Sequence, residues 1–178
     1  PSSSYTPMIE KLYIAYFGRP AAPAGMDYWA AQLVLNGGDL APLCRVFYAS
    51  SEYTAAHAGQ STEALIGSLF QNLFGRAPLP AGLSYWTGEI ESGRVPRDQV
   101  ALALLNNASS QDGAVLNNKL TAATTFTAHV DVLSELVAYH SGGAFNSAHT
   151  FLATVKTSVP SNATIDAAVL AAVTAGTP

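Results

Sequence analysis

One unusual phrase occurs twice. FGRPAAPAGMDYW begins at Phe17 and FGRAPLPAGLSYW begins at Phe74, 57 residues later. The same shift carries Gly18 to Gly75, Arg19 to Arg76, Pro23 to Pro80, Ala24 to Ala81, Gly25 to Gly82, Tyr28 to Tyr85 and Trp29 to Trp86. Met26 becomes Leu83 and Leu33 becomes Ile90, both apolar exchanges. The phrase holds both tryptophans of the chain. A repeated unit of this length means that one folding module is used twice.

The phrase predicts a helix, a stiff turn and a second helix. Before the first copy, Met8, Ile9, Leu12, Tyr13, Tyr16 and Phe17 recur at helical spacing. Thr6 is the expected N-cap, with Pro7 in the first turn. Gly18 stands where a left-handed C-terminal cap is wanted, and Pro20 forbids continuation. In the second copy Ser61 or Thr62 opens the helix, Leu65, Ile66, Leu69, Phe70, Leu73 and Phe74 form its stripe, and Gly75 ends it. The second helix of each unit starts near Ala24 or Ala81, and Gly37-Gly38 or Gly93 closes it. Gly25 and Gly82 are expected to permit close backbone approach.

A third element follows each phrase. One run starts at Leu40 and extends through His57, with Leu43, Val46 and Phe47 on one face. The other starts at Val95, with Val100, Leu102, Leu104 and Leu105. From about residue 114 the pattern changes. Residues 115–140 read as one long helix of about 25 residues, with the stripe Leu116, Leu120, Ala123, Phe126, Val130, Leu133, Leu136 and Val137, stopped by Ser141-Gly142-Gly143. Two shorter helices follow, Phe145 to about Thr157 and Ile165 to about Thr174, with Asn162 as the expected cap of the second. No convincing strand occurs, although TFLATVKTSV is β-branched enough to be ambiguous. The expected fold is all-α. Tandem repeats at 1–59 and 60–113 and a C-terminal helical segment at 114–178 form an irregular bundle, compact overall.

Composition narrows the function. Charged residues make up 11% of the chain and hydrophobic ones 49%, against roughly 25% charge in an average domain. The surface is therefore expected to be built largely from Ser, Thr, Asn, Gln, Gly and Ala. A net charge of -4, with eight scattered Lys and Arg, argues against a nucleic-acid partner. No apolar run reaches the ~18 residues of a membrane span. The single cysteine, Cys44, allows no intrachain disulfide and reads as an inert core thiol. PSSSYTPM lacks the basic-then-apolar order of a Sec signal, and AAVTAGTP reads as a linker, so a longer parent protein is expected.

No reactive constellation stands out. His57, His129, His140 and His149 are scattered, with no His-x-x-x-His and no adjacent carboxylate. Phosphate loops, nucleophile elbows and Asp-x-Asp calcium loops are absent. Glu10 and Glu135 lie in helices; the other acids, Asp112 among them, are expected at the surface. Trp29 and Trp86 read first as the packing between paired helices, and otherwise as an aromatic platform for a sugar ring. Arg19 and Arg76 read first as partners of helix-end carbonyls or a nearby acid, and otherwise as contacts to a ligand phosphate or carboxylate. Repetition favours the structural reading, since a folding unit is repeated more readily than a catalytic site. No enzymatic activity is expected.

YIAYFGRPAAPAGMDYWAAQL (13–33) and LFQNLFGRAPLPAGLSYWTGEI (69–90) resemble a helical repeat family of unknown function. Its pattern is Tyr-x-x-x-Phe/Leu-Gly-Arg, a turn, then Gly-Leu-x-Tyr-Trp. FYASSEY (47–53) is similar to its following Phe-x-x-Ser-x-Glu-Phe element, and LNNKLTAATTFTAHV (116–130) to a helix that often comes next. The resemblance covers roughly residues 5–135. In the second copy Asn107-Ala108-Ser109-Ser110-Gln111-Asp112 replaces the Ser-x-Glu-Phe element.

The family occurs in bacterial surface and secreted proteins, often ahead of RTX repeats exported by type I secretion. A similar helical domain in some S-layer proteins fixes the lattice to lipopolysaccharide O-antigen. The resemblance therefore implies an extracellular, cell-surface anchoring module that binds lipopolysaccharide or another glycan. Arg19, Asp27, Tyr28, Trp29, Arg76, Tyr85 and Trp86 are its candidate contacts. No cofactor is expected; calcium is left open by the resemblance, and nothing in the sequence calls for it. Self-assembly of a surface layer and an accessory role in a secreted enzyme are the other readings.

Overall fold

The computed structural model describes residues 2–177. They form eleven α-helices and two short 3-10 turns, with no strand among them. The helices are α1 Thr6–Phe17, α2 Pro23–Leu35, α3 Ala41–Ala49, α4 Ser51–His57, α5 Thr62–Phe74, α6 Pro80–Glu91, α7 Val100–Asn106, α8 Ser110–His129, α9 Leu133–Ala138, α10 Gly142–Ala153 and α11 Asn162–Gly176. None of them is long and apolar enough to cross a membrane.

The repeated phrase folds as expected. Gly18 and Gly75 both take left-handed conformations, φ 62° and 66°, and end α1 and α5. Each is followed by a Pro-containing turn and a helix with Pro in its first turn. Helix α1 packs on α2, and α5 on α6. Helices α1 and α5 pack against each other at the centre, and α8 lies across both. The main core takes in Leu12, Tyr13, Leu33, Phe47, Leu69, Leu73 and Leu104 from the two units together with Leu116 and Ala123 of α8. A smaller cluster around Phe126, Tyr139, Ala148 and Val169 joins α8 to α10 and α11.

Several local expectations change. Thr6 is helical and caps nothing: the 3-10 turn Ser2–Tyr5 runs directly into α1, and Tyr5 precedes it without a side-chain cap. Ser161, not Asn162, caps α11 by accepting from the Thr164 N–H. The run from Leu40 to His57 breaks at Ser50, which is extended (ψ 153°) and caps α4 through Tyr53 N–H while its hydroxyl donates to the Phe47 carbonyl. The run from Val95 begins with the 3-10 turn Arg97–Gln99.

The long helix of 115–140 does not exist. Helix α8 starts earlier, at Ser110, and ends at His129; Val130 leaves helical geometry at ψ 76°. Glu135 then caps the start of α9 by accepting from the Val132 N–H. The apolar stripe fails at the same place, since Val130 is buried but Leu133 and Val137 are exposed. Ser141-Gly142-Gly143 does not stop a helix but starts one, with Ser141 capping α10. Gly143 sits where a Cβ would overlap the Ala175 carbonyl, which is how α10 and α11 come close. Helix α10 ends at Ala153, so the β-branched stretch beyond it is neither helix nor strand.

The two glycines of the second helices differ. A Cβ on Gly25 would overlap the Tyr13 hydroxyl, whereas nothing lies within 4 Å of one on Gly82. Close approach is therefore a property of the first copy alone. Phe70 stands where Tyr13 stands in the first unit, and it has no hydroxyl. Cys44 is fully buried, and burial pushes its thiol up to about 11, as an inert core cysteine requires.

Candidate functional site

The arginine of each phrase is held in the same way. Arg19 donates Nε and Nη2 to the two carboxylate oxygens of Glu52, both at 2.8 Å, and Nη1 to the Pro20 carbonyl at 2.9 Å. Arg76 donates Nε and Nη2 to the two oxygens of Asp112, both at 2.8 Å, and Nη1 to the Ala77 carbonyl at 2.9 Å. Glu52 follows the cap of α4, and Asp112 follows the cap of α8, whose Ser109 accepts from the Asp112 N–H. The segment that breaks the sequence pattern in the second copy thus supplies an acid of its own. Asp112, expected at the surface, is buried, and the Arg76 fork holds its carboxyl below the ordinary range against that burial.

The two pairs differ in their surroundings. The Arg19 side chain is 6% exposed and that of Arg76 is 41% exposed. Arg19 lies 3.6 Å from the Phe145 ring centroid, 5.3 Å from that of Phe17 and 5.4 Å from that of Tyr13. A guanidinium gains over such faces while its fork stays on the carboxylate. Phe145 comes from α10, so the C-terminal segment closes over the first unit and leaves the second open.

The turn after Arg19 is clamped from below. The Tyr139 hydroxyl donates to the Pro20 carbonyl at 2.9 Å. Ala21 N–H donates to Glu10 Oε1 at 2.7 Å, and the Thr127 hydroxyl reaches both Glu10 Oε2 and the Ala21 carbonyl. Glu10 is fully buried, and desolvation pushes its carboxyl up to about 7 despite these bonds.

Beside this clamp lies a cleft of about 890 Å³, between α4, α5 and α10 with α1 behind it. Tyr16, Phe17 and Phe145 give it apolar faces. Glu52, His57, Gln71, Asn72, Asn146 and His149 give it polar edges. Asn72 is fixed by donating to the Ala15 carbonyl at 3.0 Å, and His57 lies tilted against the Tyr53 ring with centroids 4.4 Å apart. Burial holds both imidazoles below the ordinary histidine value; the charge of His149 adds to this at His57, and that of Lys119 at His149.

The candidate residues of the repeated phrase fall into three places. Asp27 is exposed, and so are Tyr28 and Tyr85, at 56% and 59%. Each tyrosine meets its neighbouring tryptophan edge-on, with centroids 5.1 Å apart in both copies. Trp29 packs edge-on against Phe47 in the core. Trp86 and Arg76 line a smaller cavity of about 250 Å³ together with Asn107 and Asp112. Arg19 is buried, and its partner Glu52 reaches the large cleft. Asp27, Tyr28 and Tyr85 line none of these cavities. The cleft residues His57, Gln71, Asn72, Asn146 and His149 carry no motif in the sequence; helices far apart in the chain assemble them.

Aromatic faces take apolar ring faces, while amides and a carboxylate take hydroxyls. His129 pairs with Asp166 through Nδ1, an exposed contact that joins α8 to α11 outside this cleft. No group of three or more His, Cys, Asp and Glu side chains suited to a metal occurs among the described residues.

No curated protein and no solved structure matches the chain. Residues 44–112, from α3 through the first turn of α8, match the family described as "Domain of unknown function (DUF4214)".

Proposed function

We propose that this chain is a non-enzymatic module that anchors a larger secreted protein to the bacterial surface by binding a surface glycan, with lipopolysaccharide O-antigen as the first candidate. The observation that carries this reading is the cleft of about 890 Å³, whose aromatic faces stand beside amide and carboxylate edges. Its size is within the ~300–1,000 Å³ of small-ligand sites. The low-charge surface suits a protein that works outside the cell in a layer or adhesin. The exposed Asp27, Tyr28 and Tyr85, and Arg76 and Trp86 at the smaller cavity, are further candidate contacts outside the cleft, while buried Arg19 orients Glu52 at its edge and Trp29 packs on Phe47.

The test is a pull-down with lipopolysaccharide from the source strain, smooth and O-antigen-deficient, with and without calcium. Capture by smooth lipopolysaccharide alone, lost in Gln71→Ala/Asn146→Ala, supports the anchor. Equal recovery of the double variant moves the contact away from the cleft, and Tyr28→Ala/Tyr85→Ala then examines the outer surface. No capture of the folded chain by either preparation ends the proposal.

Self-assembly is the second reading. Leu133 and Val137 of α9 and Leu170 of α11 are exposed, on two helices that pack together. A contiguous apolar patch on such a surface is a feature of protein contacts. Concentration-dependent sedimentation that Leu133→Ser/Val137→Ser abolishes would favour it.

A further inference from the structure

Lys119 is the least exposed cation among the described residues. It is 1% exposed in α8, and its ammonium donates to the Leu152 carbonyl at 2.9 Å. Leu152 lies in the last turn of α10, and its carbonyl also accepts from the Val155 N–H. No carboxylate pairs with Lys119. An ammonium keeps three donors, and a buried charge is ordinarily paired. One shared carbonyl leaves most of that capacity unused.

Lys119 also lines a cavity of about 340 Å³. Lys156 and His149 line it with Lys119, while Gln71 and Asn72 give it amides. No acid lines it. The backbone carbonyl of Lys156 accepts from the Asn118 amide at 2.9 Å, and its side-chain stem passes over Gly75, where an added Cβ would lie 3.3 Å from it. The helix-end carbonyls nearby already have protein donors. Gly18 N–H takes Ile14, Gly75 N–H takes Gln71, and Asn72 takes Ala15. Two ammonium groups, an imidazole and two amides therefore surround a space with no anion. Burial and Lys156 lower Lys119 to about 8, so it still carries its proton at pH 7.

Gln71, Asn72 and His149 line both this cavity and the large cleft, so the two adjoin. We propose that the cavity is an oxyanion site that takes the phosphate or carboxylate of an acidic sugar whose ring lies in the adjoining cleft. The ring's placement rests on the glycan reading above; the oxyanion site itself does not. The oxygens of such a group would accept from Lys119 and Lys156 and so supply the acceptors that the protein does not.

The experiment is a titration of the ¹⁵N-labelled chain, followed by NMR, at constant ionic strength in chloride. The probes are inorganic phosphate, glucuronate and glucose. Phosphate and glucuronate are expected to shift the Gly18 and Gly75 amides, which line this cavity and not the cleft, saturably, while glucose leaves those two signals in place. Lys156→Ala, at an exposed position, is expected to weaken both anions roughly tenfold, the loss of one charged hydrogen bond. Lys119→Met is expected to abolish the response, and if it does not fold, Lys156→Ala decides alone. Absence of saturable shifts, or equal affinity in Lys156→Ala, overturns the oxyanion site even if lipopolysaccharide is captured. Anion binding without lipopolysaccharide capture keeps the site and removes the glycan reading. If glucuronate binds more tightly than phosphate, the sugar acid is the ligand source; the reverse order points to a phosphorylated sugar.

Discussion

The side-chain amide of Asn72 donates to the carbonyl of Ala15 at 3.0 Å, and the two residues occupy the same position in the two copies of the repeat, 57 residues apart. The units thus meet through equivalent turns of α1 and α5, where each helix has a carbonyl to satisfy near its end. The bond is one-sided, because Ala15 has no amide to return. Asn72→Ala is expected to lower stability by about 1 kcal/mol, seen as a lower urea midpoint at unchanged slope. An unchanged midpoint would mean that water replaces the amide at no cost.

Arg19 and Arg76 make the same hydrogen bonds in different solvents. Arg19→Ala removes a fork, a carbonyl bond and a guanidinium packed among rings, and is expected to cost about 3 kcal/mol. Arg76 is 41% exposed, and Arg76→Ala is expected to cost about 1 kcal/mol. Chemical denaturation of the two variants side by side measures the difference. Equal losses would show that the ring enclosure around Arg19 adds nothing.

Glu10 gives the fold a pH dependence of unusual sign for a carboxylate. Its folded value, about 7, lies above the ordinary 4.5, so the folded state favours the protonated form. Stability from this group is fully present below about 4.5 and is lost as pH rises through about 7. Glu10→Gln keeps an acceptor for Ala21 N–H and offers Thr127 a donor, while the Thr127 hydroxyl still bonds the Ala21 carbonyl. The variant is expected to be more stable than the parent by about 3 kcal/mol at pH 8, with the gap closing by pH 4.5. Thermal melts across this window decide it, and a gap that does not change with pH would rule Glu10 out as the titrating group.

Gly25→Ala and Gly82→Ala should move in opposite directions. Both glycines are helical, where alanine is favoured by about 0.5–1 kcal/mol, but only at Gly25 does a Cβ meet the Tyr13 hydroxyl. Gly82→Ala is expected to raise the melting temperature and Gly25→Ala to lower it. Tyr13→Phe in the Gly25→Ala background is expected to recover part of the loss. Failure of that rescue would place the strain elsewhere.

Legibility followed the range of each interaction. The glycine caps of α1 and α5, the Pro turns, the start of α5 at Ser61 or Thr62 and the stripes of α1 and α5 are readable because each depends on residues within a turn or two; that Ser61 is the cap comes from the structure. The break of α8 at Val130 was missed because the stripe continues past it in the sequence. What redirects the chain is the Glu135 cap and the burial of Val130 among α8, α10 and α11. Asp112 was misplaced at the surface because its partner Arg76 lies 36 residues away.

The sequence by itself determined an all-α chain, a unit used twice and the positions of its turns. These follow from backbone dihedral preferences and helical periodicity, which act locally. Only the tertiary structure decided that Arg19 lies in a ring enclosure while its twin Arg76 stays half in solvent. It also decided that Glu10 and Lys119 are buried, and that α4, α5 and α10 leave a cleft between them. The physical reason is that burial and electrostatic environment belong to no single segment: they arise where helices distant in the chain exclude water together.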